Sequence, residues 1–173
     1  STMTVKALRS YWKGNLNYYS VSNGDQSEIN CVLKKIKLDE TLFLICSKSF
    51  NTIETKNNAT IAKEALEVNF GKRAINKHFL GVSSSREGMT DFGIHKDKQF
   101  YISDWVGGRF SITSAMGLPL ACMIGMDNFY RFLDGARLMD MHFKNASFDL
   151  NMPVILAMLS VYYTNFHNVQ SQA

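Results

Sequence analysis

Asp104 to Gly117 read DWVGGRFSITSAMG, and the fold turns on what ends and what begins there. The run KQFYISDW, Lys98 to Trp105, has the residue types of a strand. From Ser111 onward the apolar spacing is helical. Gly107, Gly108 and Arg109 stand at the junction. With no β-carbon on either glycine, a ligand can approach the backbone closely and the chain is free to take a positive φ. Arg109 adds a permanent cation with forked donors. A plain strand-to-helix turn whose arginine pairs with Asp104 accounts for the same residues.

Working backward, HFLGVSSS (His78 to Ser85) is a buried strand that ends in hydroxyls. TLFLICS (Thr41 to Ser47) is an unbroken apolar run of the kind a strand shows when both faces are covered. Thr52 to Asn69 carries a helical pattern with Glu54 in its first turn. Asp25 is positioned to cap a helix whose Ile29, Val32, Leu33 and Ile36 share one face. Asn17 to Ser22, NYYSVS, is rich in strand formers and breaks at Asn23-Gly24. Thr2 to Trp12 is helical and stops at Lys13-Gly14. Working forward, three more helices follow: Ile112 to Ile124, Asp127 to Lys144 and Asn151 to Phe166, with Asp127 and Asn151 as caps. Strands alternating with helices imply an α/β fold, a parallel sheet flanked by helices with flavodoxin-like layering and a helical C-terminal third. No internal repeat or low-complexity linker divides the chain, so residues 1–173 are expected to form a single domain.

Composition sets limits on function. At 173 residues with 46% hydrophobic and 20% charged side chains, the chain has the makings of a packed core. The net charge of +4 is mildly basic, but the lysines and arginines are scattered, so no nucleic-acid partner is expected. Lys34, Lys35 and Lys37 read as the solvated end of a helix. Cys31, Cys46 and Cys122 are too far apart for a CxxC pair and suggest a reducing compartment. No leader pattern opens the chain, so the sequons at Asn58 and Asn145 are read as chance. The apolar run Met152 to Tyr163 is far short of the ~20 residues that span a bilayer. A cytoplasmic protein with no membrane partner is the expectation. The helix Asn151 to Phe166, apolar nearly all round, points to burial on several sides in the intact protein, by a further domain or a second subunit, with part of it exposed in this chain alone. His78, His95, His142 and His167 show no metal-ligand spacing, no GxSxG elbow supports a serine nucleophile, and Asp140 and His142 face different ways on one helix.

In a parallel α/β sheet, ligands gather at the carboxyl ends of the strands. Three such ends are notable: Ser47-Lys48-Ser49-Phe50-Asn51-Thr52, Ser83-Ser84-Ser85 and Gly107-Gly108-Arg109. The first opens a helix, where unpaired backbone N–H groups and a partial positive charge favour an anion. Ser47, Ser49 and Thr52 add hydroxyl donors. A serine-rich turn with Thr52 or Asn51 as an ordinary N-cap is the competing description.

DWVGGRFSITSAMG also resembles the signature segment of the phosphoglucose isomerase (glucose-6-phosphate isomerase) family. TLFLICSKSFNTIET resembles the family's phosphate-binding segment, with Ser49 where Thr is usual, and NKHFLGVSS resembles the strand after it. GLPLACMIGMDNFYRFLDGARLMDMHF and NMPVILAMLSVYYTNF resemble the two helical stretches beyond the signature. These matches run in the family's order from about residue 17 to 166. The resemblance implies a sugar-isomerase (SIS) domain built on a five-stranded parallel sheet. It further implies aldose–ketose isomerisation of glucose 6-phosphate and fructose 6-phosphate through a cis-enediolate, in glycolysis and gluconeogenesis, with no metal or other cofactor. Ser47, Ser49 and Thr52 then correspond to the side chains that hold the substrate phosphate, with Lys48 contributing backbone. Gly108 and Arg109 correspond to the pair beside the reacting carbons, the arginine stabilising the enediolate as catalytic cation. The family is dimeric and shares active-site residues between subunits.

The family's general base, a glutamate, and its later histidine and lysine lie beyond the matched region. Of the glycine-rich strand and loop that precedes it, only a trace is expected, at Ser1. The expectation is thus a piece of the enzyme that binds hexose 6-phosphate and is inactive alone. The rival is a non-catalytic SIS module that senses a sugar phosphate. A dinucleotide-binding domain would need GxGxxG after the first strand, where Gly24 stands alone.

Overall fold

The computed structural model describes residues 2–170; Ser1 lies outside the described residues. The helices are α1 (Thr2–Ala7), α2 (Gln26–Leu33), α3 (Ile53–Phe70), α4 (Ile75–His78), α5 (Arg86–Phe92), α6 (Leu118–Ile124), α7 (Met126–Asn145) and α8 (Met152–His167). The strands are β1 (Phe43–Cys46), β2 (Phe79–Ser83) and β3 (Gln99–Tyr101). The backbone divides between Met126 and Asp127 into two compact units.

In the first unit the three strands pair in parallel in the order β1-β2-β3. Phe43 is opposite Phe79 and Cys46 opposite Val82, while Gly81 is opposite Gln99 and Ser83 opposite Tyr101. Strand alternation sends Phe43 and Ile45 to one face and Leu44 and Cys46 to the other. The first face is covered by α2, α3 and α5 through Ile29, Ala62, Leu66, Met89 and Phe92, with Phe43 and Phe79 stacked at 5.1 Å. The second face meets Ile102, Met116 and Leu118. Both faces of β1 and β2 are thus covered, as their unbroken apolar runs require. β1 and β3 are the outer strands among the described residues, and Phe100 and Tyr101 of β3 are exposed.

Asn17–Ser22 is not a strand: among the described residues the sheet has three strands, not five, and this stretch pairs with none of them. Tyr18, Tyr19 and Val21 have strand propensity, but a strand exists only where a neighbour completes its ladder. The helical pattern from Ile112 to Ile124 is also broken. Gly108–Thr113 and Ala115–Gly117 are 3₁₀ turns, and α6 starts only at Leu118. Ser114 interrupts the run with an extended backbone (φ −99°, ψ −166°), its hydroxyl accepting from Met116 N. Pro119, which tolerates only a helix's first turn, marks the restart.

Asp25 caps α2 as expected, accepting from Ser27 N at 2.9 Å and Ser27 Oγ at 2.7 Å; these bonds hold its carboxyl below the usual range. Lys34, Lys35 and Lys37 are exposed at and beyond the end of that helix.

The second unit consists of α7 and α8. Asn151 caps α8: its Oδ1 accepts from Val154 N and its Nδ2 donates to Phe143 O at 2.8 Å. His142 Nε2 accepts from Met152 N. Asp127 falls inside the first turn of α7 rather than ahead of it. Leu156, Met158, Val161 and Phe166 of α8 are all exposed, as expected for this chain by itself. No helix among the described residues is long and apolar enough to cross a membrane.

Candidate functional site

The carboxyl ends of the three strands emerge along one edge of the sheet. The parallel ladder continues past the strands through Ser47 N to Val82 O (3.1 Å) and Ile102 N to Ser83 O (3.0 Å). The loops 47–52, 83–85 and 102–107 are therefore neighbours because the backbone pairing makes them so.

Ser47 is buried, and its Oγ lies 3.2 Å from Thr52 Oγ1. Thr52 holds the N-cap position of α3, yet its side chain makes no cap hydrogen bond. The ordinary N-cap description thus fails for Thr52. Asn51 does not take its place: it donates its backbone N–H to Ser49 Oγ at 3.3 Å. The first amide groups of this 18-residue helix remain directed at the end of the loop, the arrangement that favours an anion. A narrow gap beside the pair is lined by Ser47, Thr52, Thr55 and Lys56 together with the core residues Ile45, Phe50, Ala59 and Phe92, and has no room for a ligand as it stands. Thr55 and Lys56 are side chains the sequence reading did not single out.

Phe50 gives the loop its shape. It takes a left-handed conformation, φ +57°, uncommon for a bulky residue. Its ring is buried against Phe92 at 6.0 Å. Burial of that ring offsets the backbone strain, which is of order 1–3 kcal/mol for such conformations. Gly88 in α5 makes room for it: a β-carbon there would lie 3.0 Å from Phe50 Cβ.

Lys48 binds the three loops together. Its carbonyl accepts from Ser83 Oγ, Ser84 Oγ and Ser84 N, each at 2.8 Å. Its ammonium donates to Asp104 O at 2.8 Å. The hydroxyl-rich segment and the loop leading to Arg109 are thereby joined by a direct contact.

Gly107 and Gly108 do less than the sequence suggests. Gly107 has φ −64° and ψ 135°, open to any residue, and Gly108 begins a 3₁₀ turn; neither is among the positive-φ glycines. What Gly108 does provide is space, since a β-carbon there would meet nothing within 4 Å. Arg109 is exposed and forms no ion pair with Asp104 among the described residues. The competing description of a paired arginine in a turn is not what is found.

Other candidates have structural partners. His78 Nδ1 contacts Thr41 O at 2.7 Å, His95 Nδ1 lies 3.3 Å from Asp97 Oδ2, and His167 packs on Tyr162 at 4.8 Å. No group of three or more His, Cys, Asp or Glu with metal-binding geometry occurs among the described residues. Burial pushes the Cys46 thiol up to about 11, which makes it a poor nucleophile near neutrality.

The family model for phosphoglucose isomerase matches residues 1–173. The chain is 50% identical over 167 residues to a glucose-6-phosphate isomerase from Shewanella denitrificans and 44% identical over 172 residues to one from Marinomonas sp. These matches cover 96% and 99% of the chain, and 31% of each relative. The chain therefore spans about a third of the length of the curated relatives it matches. Among solved structures, a glucose-6-phosphate isomerase from Chlamydia trachomatis superposes with a TM-score of 0.80 at 31% identity, covering 93% of this chain and 32% of that one. A hypothetical protein from Thermus thermophilus gives 0.78 at 26% identity, covering 94% of this chain and 39% of that one.

Proposed function

The chain belongs to the phosphoglucose isomerase family, and from that premise we propose that it supplies the sugar-phosphate-binding part of an enzyme interconverting glucose 6-phosphate and fructose 6-phosphate. In this reading residues 1–173 are one SIS-type domain. The hydroxyls of Ser47, Ser49 and Thr52 and the open end of α3 take the phosphate, Lys48 contributes backbone, and Gly108 and Arg109 stand at the reacting carbons.

The chemistry calls for this division of labour. A phosphate dianion is well held by neutral donors and a helix terminus. Moving a proton between C2 and C1 of the open-chain sugar passes through an enediolate, and a fixed cation at that oxyanion lowers the barrier. A guanidinium is suited to the role because it stays charged and presents two parallel donors. No metal or organic cofactor is required.

The observation that carries the proposal is the bond from Lys48 Nζ to Asp104 O, 2.8 Å long. It ties the anion segment to the arginine loop, as a substrate charged at one end and reactive at the other demands. The exposed apolar residues of α7 and α8, Met141, Phe143, Leu156 and Phe166 among them, support a homodimer, or cover by another part of the enzyme, in the intact protein. The unpaired state of Cys31, Cys46 and Cys122 agrees with a cytoplasmic setting.

Proton abstraction needs a base, which this reading assigns to a part of the enzyme beyond these residues. The 173-residue chain, purified free of host isomerase, is expected to give no turnover. In the full-length enzyme, Arg109→Ala should abolish turnover while leaving inorganic phosphate inhibition unchanged. A sensor module of the same fold has no need of Arg109, so a full-length protein that binds hexose 6-phosphate equally well with or without Arg109 and shows no isomerase turnover even before the substitution would overturn the enzymatic assignment.

A further inference from the structure

The hydroxyl of Ser83 is fully buried and has no part in the chemistry described so far. It accepts from Ser85 N at 3.0 Å and donates to Lys48 O at 2.8 Å. The same carbonyl takes Ser84 Oγ and Ser84 N, each at 2.8 Å. A carbonyl oxygen has two lone pairs, so three donors from one neighbouring turn saturate it and leave the peptide little freedom to rotate.

The Lys48–Ser49 peptide is planar and trans. Its N–H therefore points opposite to its carbonyl. With Lys48 O pinned against the end of β2, Ser49 N–H is turned the other way, out of the β2 turn. Among the described residues it has no acceptor, while the next two amides do: Phe50 N donates to Ser47 O at 3.3 Å and Asn51 N to Ser49 Oγ at 3.3 Å.

We propose that Ser83 is a positioning residue for the anion site: its hydroxyl, aided by that of Ser84, holds the Lys48–Ser49 peptide so that Ser49 N–H is presented to the phosphate. The inference rests on the reading of Ser47–Thr52 as the phosphate segment. It adds a backbone donor to that segment and names the side chains that aim it. Ser83 and Ser84 belong to another strand end and act only through Lys48.

The test is a titration of the ¹⁵N-labelled 173-residue chain with inorganic phosphate and with glucose 6-phosphate, followed by amide shifts. In the unaltered chain, Ser49 N–H should move downfield together with Glu54 and Thr55 at the start of α3. In Ser83→Ala, phosphate affinity should fall about fivefold, the worth of one hydrogen bond. The Ser49 shift should vanish while those of Glu54 and Thr55 persist, a selectivity that general loosening of the fold would not give. Ser84→Ala, at a less buried position, keeps the Ser84 N–H bond. It should lower affinity about two- to threefold with a smaller Ser49 shift, and it serves if Ser83→Ala fails to fold. Wild-type affinity and a wild-type Ser49 shift in the folded variant would overturn the role of this clamp alone. If neither ligand shifts any amide between Ser47 and Thr55 in the unaltered chain, the phosphate-segment reading falls and this inference with it.

Discussion

Gly88→Ala sets two opposing effects against each other, and the structure decides between them. Gly88 lies in the first turn of α5. Replacing a helical glycine by alanine ordinarily stabilises by ~0.5–1 kcal/mol, because the unfolded chain loses freedom. Here the new β-carbon would lie 3.0 Å from Phe50 Cβ, 3.0 Å from Ser85 Oγ and 3.3 Å from Phe50 Cδ1. Phe50 Cβ is not the end of a flexible side chain. It is fixed to a backbone at φ +57° and to a ring packed on Phe92. Overpacking of this kind costs ~1–3 kcal/mol, so the clash wins by about 1 kcal/mol. The same displacement moves the Ser47–Thr52 loop. Urea unfolding followed by far-UV circular dichroism should show a lower midpoint. Phosphate titration of the folded variant should show weaker binding. A raised midpoint with unchanged phosphate affinity would mean that the Phe50–Gly88 contact does not shape the anion loop.

Further outcomes follow from the same geometry. Lys48→Met should cost little stability, since one partly exposed hydrogen bond is worth ~1 kcal/mol. It should weaken a hexonate 6-phosphate, charged at both ends, more than inorganic phosphate, which needs only the anion loop; equal losses for both ligands would refute the bridging role. Leu66→Ala, in α3 with no exposed surface, should destabilise by ~2–5 kcal/mol in urea unfolding. The Cys46 thiol, raised by burial from 9.0 to about 11, stays protonated in the fold after the unfolded chain has begun to ionise. Stability should therefore be intact below pH 9 and decline between pH 9 and 11, by on the order of 2–3 kcal/mol; Cys46→Ala should abolish that part of the decline. A thiol reagent at pH 8 should modify the exposed Cys31 and Cys122 well before Cys46.

The parts of the fold legible in the sequence are those whose residues report their own surroundings. Phe43–Cys46 and Phe79–Ser83 read as doubly covered strands because only such strands are apolar on both faces. Asp25 and Asn151 read as caps because their side chains reach backbone amides two or three residues on. Asn17–Ser22 misled because strand propensity describes a pleated, half-buried surface, which that stretch lacks. In the site, the hydroxyls of Ser47 and Thr52 were visible as residue types. The contacts of Lys48 were not, since its partners Ser83 and Asp104 lie 35 and 56 residues away. Phe50 was invisible for a different reason. An aromatic residue is the last choice for a left-handed turn, and only a buried partner ring makes it tenable. At Gly107 and Gly108 composition suggested backbone freedom, whereas the chain there needs only room.

In the proposed function one sugar phosphate engages both the mouth of α3 and Arg109. A crystal structure of the protein with bound fructose 6-phosphate tests it most directly. The phosphate should lie within hydrogen-bond distance of Ser47 Oγ and Thr52 Oγ1, and C1 and C2 beside the Arg109 guanidinium. A phosphate seated away from Ser47–Thr52, or a sugar whose carbonyl end lies out of reach of Arg109, would contradict it.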